Sequence, residues 1–112
     1  MTDELKAKID AMVKSKRVVL FMKGSTMMPM CGFSASALHL LRTAGATPKD
    51  LATFDVLKDP ELREGIKEYS SWPTIPQIFI DGKLVGGSDI VKELHESGEL
   101  AALLAPPTPP AT

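Results

Sequence analysis

Apolar residues recur along this chain in two rhythms that take turns. In "TDELKAKIDAMVKSK" (2–16), Leu5, Ile9, Met12 and Val13 fall at i, i+4, i+7 and i+8, one face of a helix with Thr2 or Asp3 as N-cap. "RVVLFMKG" (17–24) is apolar without interruption and rich in β-branched and aromatic residues, which predicts a strand buried on both faces. Gly24, Ser25, Thr26 and Pro29 then mark residues 24–30 as a loop. The helical rhythm returns in "SASALHLLRTAG" (34–45), with Phe33, Ala37, Leu38 and Leu41 on one apolar face and Gly45 as its stop. "ATFDV" (52–56) is a second short strand.

The second half repeats the alternation with clearer punctuation. "DPELREGIKEYSSW" (59–72) opens with Asp59 as N-cap and Pro60 at the first helical position, a strong helix start. "PQIFIDGKLVGG" (76–87) alternates around Asp81-Gly82 and predicts a hairpin. "SDIVKELHESGEL" (88–100) is a helix with Ser88 or Asp89 at its N-terminus and Gly98 at its end, and "ELAALLA" (99–105) adds a further helical turn or two. "PPTPPAT" (106–112) is a Pro-rich tail, expected to be extended and disordered.

The order is therefore α-β-α-β-α-β-β-α. A strand–helix–strand unit crosses over right-handedly, so the first two strands lie parallel, and the hairpin adds an antiparallel pair. The expected class is α/β: a four-stranded mixed sheet with helices on both faces, one domain over residues 1–105.

Composition narrows the chemistry more than the fold. Apolar residues at 44% and charged residues at 24% are those of an ordinary globular chain. A net charge of -1 leaves no basic surplus, so neither nucleic acid nor a membrane surface is an expected partner. The opening "MTDELKAKID" has early acids and no apolar run, so no export signal is expected. The expected location is cytoplasmic, or an organellar matrix for a trimmed eukaryotic form.

The chain has one cysteine, Cys31, so no internal disulfide can form. A free cysteine often acts as a small buried hydrophobe. Cys31 instead follows a Pro-containing loop and precedes "GFS" at the start of a helix, where free N–H groups and the helix dipole favour a thiolate. Lys23 can add positive charge and Gly32 keeps the approach open. Ser34 stands where a dithiol enzyme has its resolving thiol, so a second thiol must come from outside, and glutathione is the obvious donor. Iron–sulfur clusters usually take four thiolates. One chain offers one; two chains and two glutathiones complete the set. No Cys/His cluster supports zinc, and His39 and His95 read as surface or boundary residues.

"CGFS" (31–34), with "LFMKG" before it, "SSWPTIPQIFIDG" after it and "VGGSDI" beyond, resembles the monothiol, CGFS-type glutaredoxins over about residues 5–104. The resemblance implies a thioredoxin-like fold, which agrees with the element order. It implies a glutathione-ligated [2Fe-2S] cluster at a homodimer interface and delivery of that cluster to apo recipient proteins. It also implies BolA-like partners and at most weak glutathione–disulfide oxidoreductase activity. The alternative is an enzyme, a glutathione-dependent monothiol oxidoreductase acting in deglutathionylation.

Family roles carry over position by position. Cys31 looks like the cluster ligand, shared with the second subunit, and the site of any mixed disulfide. Lys23 matches the lysine that meets a glutathione carboxylate, or is a solvated strand-end lysine. Arg63 and Lys67, four apart on one helix face, look like the pair facing the glycine end of glutathione, or form a solvated stripe paired with Glu64 or Glu68. The "WPTIPQ" loop implies a cis bond at Ile75-Pro76, with the Ile75 backbone pairing with the cysteinyl part of glutathione. Ser88 and Asp89 open the last helix, where N–H groups suit a carboxylate and Asp89 can meet the γ-glutamyl amine or cap the helix. Trp72 reads as a packing residue.

Two departures stand out. Ser88 replaces the cysteine that many members carry in "GGCD", which puts a dithiol-type switch in doubt but not cluster binding. The loop "STMMPM" is rich in methionine, with Met27, Met28 and Met30 beside the thiol, either shielding a cluster or lining an adaptable apolar edge.

Overall fold

The computed structural model describes residues 1–106. The Pro-rich tail lies outside the described residues from 107 onward, so its expected disorder is left as a reading of composition. The elements are α1 (Asp3–Val13), β1 (Val18–Met22), α2 (Gly32–Thr43), β2 (Leu51–Asp55), a 3-10 turn (Val56–Lys58), α3 (Pro60–Ser70), β3 (Gln77–Ile80), β4 (Lys83–Gly86), α4 (Ser88–Ser97) and α5 (Glu99–Leu104). They form one four-stranded sheet in the order β2-β1-β3-β4. β1 and β2 are parallel, and the β1–β3 and β3–β4 pairs are antiparallel.

The two-residue period of β1 divides the interior into two cores. Val18, Leu20 and Met22 point to one face, where they meet Ala37, Leu38 and Leu41 of α2, Val91 of α4, and Leu100 and Leu104 of α5. Val19 and Phe21 point to the other, against Ile9 and Val13 of α1 and Leu62 and Ile66 of α3. All five β1 residues are buried, as an uninterrupted apolar run requires. No helix among the described residues is long and apolar enough to cross a membrane.

Local chemistry sets the helix boundaries. The Thr2 hydroxyl accepts from the Leu5 N–H at 3.1 Å, and Asp59 accepts from the Leu62 N–H at 3.1 Å. α4 is different: its N-cap is Gly87, with no side-chain cap bond, so Asp89 lies inside the first turn and is not the cap.

One expectation about burial is corrected. Phe33 does not sit on the buried face of α2; it is 65% exposed, whereas Ser34 is fully buried. The buried stripe runs Ser34, Ala37, Leu38, Leu41, an unbroken i, i+3, i+4, i+7 series. A polar residue at the head of that stripe disguised its phase.

This topology gathers one set of ends. The C-terminal end of β1 leads into Lys23 and, through the loop, to the start of α2. β3 runs antiparallel to β1, so the Trp72–Pro76 segment that enters it arrives at the same end. β4 runs back, and Gly86-Gly87 and the start of α4 join them.

Candidate functional site

Cys31 is the N-cap residue of α2, in extended backbone conformation (φ -152°, ψ 133°) and half-buried. Its neutral side chain makes no cap hydrogen bond. The free N–H groups act instead on the ionised sulfur. The Ser34 backbone N–H, above all, holds the thiol below its ordinary range, against the raising effect of burial. The Phe33 N–H, the Ser34 hydroxyl and the Lys23 charge push the same way. Chain neighbours and its own helix backbone aside, no atom of the described residues lies within 4 Å of where a Cβ would stand at Gly32, so no other element crowds that side of the thiol.

Ser34 has a structural task that its place in the motif did not reveal. Its Oγ accepts from the Lys23 N–H at 3.0 Å, tying the end of β1 to the first turn of α2. Asp55 adds a second tie, accepting from the Gly24 and Leu57 N–H groups at 2.9 Å each. Gly24 itself has φ +92°, and a Cβ there would collide with the Met28 carbonyl and the Met30 N–H, so only glycine fits this corner. The thiol is thus carried on a braced loop.

Beside it lies an open groove of about 430 Å³. Lys23, Arg63, Lys67, Ile75, Ser88 and Asp89, the residues expected to surround a glutathione, all line this one groove. Cys31 is not among its lining residues; its neighbour Phe33 is. The groove also includes Trp72, Pro73, Thr74, Pro76 and Ile90. Lys67 divides its charge, since its Nζ stands 3.5 Å from a Glu64 carboxylate oxygen, so part of the solvated-stripe reading holds for it.

Among the described residues, two donors in this wall are buried without partners: Arg63 Nε and Trp72 Nε1. Buried donors are rarely left unmatched, and a water or a bound ligand can supply the acceptor. The Trp72 ring lines the groove, and its Nε1 stands 3.1 Å from where a Cβ would be at Gly87, as a packing residue would. Its loop is pinned by the fully buried Gln77, whose Nε2 donates to the Trp72 carbonyl at 2.8 Å. Sequence reasoning passed over Gln77 because a polar residue at a strand start looks solvated. The Ile75-Pro76 bond is cis, and the Ile75 backbone N–H and C=O make no hydrogen bond among the described residues. An extended segment can pair with that free backbone as an added strand.

The comparisons with known proteins agree with this geometry. The glutaredoxin family model matches residues 18–85. The chain is 50% identical over 104 residues to an uncharacterized ycf64-like monothiol glutaredoxin of Synechocystis, covering 93% of this chain and 94% of that one. It belongs to the monothiol glutaredoxin family. The solution structure of reduced poplar apo GrxS14 matches with a TM-score of 0.75 and 46% identity, covering 88% of this chain and 87% of that one. The crystal structure of a buckwheat glutaredoxin–glutathione complex matches with a TM-score of 0.77 and 26% identity, covering 93% and 94%. The thioredoxin-like fold expected of a monothiol glutaredoxin is the fold found.

Proposed function

We propose that this monothiol glutaredoxin binds glutathione in the groove and, as a pair of chains, carries a [2Fe-2S] cluster to apo recipient proteins. The carrying observation is the single thiol at the α2 N-cap beside a cationic groove with two unpartnered buried donors. A glutathione offers two carboxylates and a peptide backbone. Lys23, Arg63 and Lys67 suit the glycine carboxylate, the free Ile75 backbone suits the cysteinyl unit, and the first turn of α4 with Asp89 suits the γ-glutamyl end. The thiolate arithmetic follows: one Cys31 from each chain and one glutathione with each make four. The complex of the buckwheat glutaredoxin with glutathione supports the same ligand here.

The same thiol supports a second reading, favoured by its lowered pKa. The Cys31 thiolate would attack the glutathione sulfur of a mixed disulfide and expel the protein thiolate. A second glutathione thiolate would then attack, releasing glutathione disulfide and restoring Cys31.

The test is anaerobic reconstitution with iron, sulfide and glutathione, followed by visible spectra and mass. The carrier reading expects a coloured two-chain species that needs glutathione and vanishes with Cys31→Ser. A colour that survives that change, or none in the native chain, overturns it. Rapid turnover of a glutathionylated peptide by a colourless single chain would favour the enzyme.

A further inference from the structure

Among the described residues, seven large hydrophobic side chains are exposed, and four of them, Met27, Met28, Met30 and Phe33, fall within one short stretch around Cys31. Met27 is 92% exposed, Met28 67% and Met30 62%. The backbone beneath them is fixed. Ser25 and Met28 exchange N–H···O bonds at 3.1 and 3.2 Å, the Met30 N–H donates to the Lys23 carbonyl at 2.9 Å, and Gly24 bridges to Pro29. The loop therefore holds three thioethers out to solvent on a rigid base, beside the thiol. An apolar cluster so presented marks a contact face. Its occupant under the carrier reading is a second copy of this chain, because one chain brings one thiolate and the cargo needs more.

We propose that Met27, Met28 and Met30 are a peroxide-sensitive modification site, whose conversion to sulfoxides blocks the pairing of two chains around Cys31. The proposal rests on the carrier reading above and adds its regulation. The step balances simply. A thioether lone pair attacks one peroxide oxygen, the O–O bond breaks, the sulfur gains that oxygen and loses two electrons, and the peroxide leaves as water or an alcohol. Reversal takes two external thiols, which reduce the sulfoxide and depart as a disulfide and water. The physical effect is a change of surface. An apolar, pliable thioether becomes a polar group, and burying it against another chain without a partner is costly. Met22 is fully buried and Met12 packs against the α1–α3 core, so outside the loop only Met1, 45% exposed and retained in the leucine variant below, is equally open to peroxide.

The experiment uses the full chain with Cys31 reversibly capped as its glutathione mixed disulfide. Hydrogen peroxide is added and removed, dithiothreitol then frees Cys31, and peptide mass spectrometry locates the added oxygen. The protein is next reconstituted with iron, sulfide and glutathione. Met27, Met28 and Met30 should gain oxygen before Met12 and Met22. The coloured two-chain species should fall roughly tenfold or more against the untreated sample, as expected for burying unpaired polar groups. Methionine sulfoxide reductases should restore it. A Met27→Leu/Met28→Leu/Met30→Leu chain, compared with its own untreated sample, should lose its response to peroxide. Met27→Gln/Met28→Gln, which imitates the sulfoxides, should pair poorly with no oxidant present. Oxidised protein that pairs as well as untreated protein overturns this proposal alone. A leucine chain that remains equally sensitive does the same. Untreated protein that never forms the coloured pair overturns the carrier reading, and this proposal with it.

Discussion

The starts of α2 and α3 face the same electrostatic problem and resolve it in opposite ways. Each exposes a first turn of unpaired backbone N–H groups. At α3 the demand is met within the chain by a side-chain cap. Asp59 accepts from Leu62, Pro60 occupies the first turn, Glu61 adds negative charge, and the Lys8 ammonium stands 3.0 Å from the Asp59 carboxylate. At α2 the N-cap is a cysteine with no cap bond, and no acid follows in the first turn. Both caps have a lowered pKa, chiefly through a backbone N–H at the third helical position: Leu62 for Asp59 and Ser34 for Cys31. The first serves to start a helix. The second leaves an acceptor position to be taken by a thiolate and whatever it binds.

The contrast is tested most severely by Cys31→Ser. Glutathione mixed disulfide and coloured pair should both disappear, while a thermal melt shows no loss of stability. A serine oxygen caps better than a thiol, and a gain of up to ~1 kcal/mol is expected. A large drop in stability would mean the thiol is part of the packing after all.

Next in size is the groove. Arg63→Ala should weaken binding of S-methylglutathione roughly ten- to hundredfold by calorimetry, the cost of a charge-assisted hydrogen bond. Lys67→Ala should cost less, because Lys67 already shares its charge with Glu64. Equal losses would show that the unpartnered Arg63 Nε has no ligand.

Smaller still is the electrostatic support of the sulfur. Alkylation of Cys31 should have its midpoint below that of a free cysteine, and the thiolate should persist as pH falls until the depressed value is crossed. Ser34→Ala should move that midpoint up and slow alkylation at neutral pH. An unchanged midpoint would assign the effect to the backbone alone.

The smallest effect belongs to the other helix. Asp59→Ala should lower the melting temperature by a few degrees at neutral pH and leave alkylation untouched. The folded pKa of Asp59 is depressed, so its contribution is present above the unfolded value and disappears as pH falls through the folded one. The penalty should therefore vanish in acid. Its persistence there would mean that the carboxylate charge has no share in starting the helix.

Much of this was legible in the residues, for reasons that differ by element. Asp59-Pro60 and Asp81-Gly82 are local signals, and both sit where their short-range chemistry requires. The phase of α2 was misjudged at Phe33 because Ser34, though polar, is buried by its bond to the Lys23 N–H, a contact between two elements. The 3-10 turn at Val56–Lys58 and the irregularity between Ile78 and Phe79 left no periodic trace. Gln77 was missed for a related reason: its role rests on a loop folded against a strand end.

The order of residues alone determined the main helices and strands, the one-thiol limit and the charge available near it, because each depends on neighbours within a turn or two of chain. The strand order, the convergence of six distant residues on one groove and the unpartnered donors in its wall were decided only in three dimensions. They arise where strand ends from opposite halves of the chain meet, and no local pattern encodes that meeting.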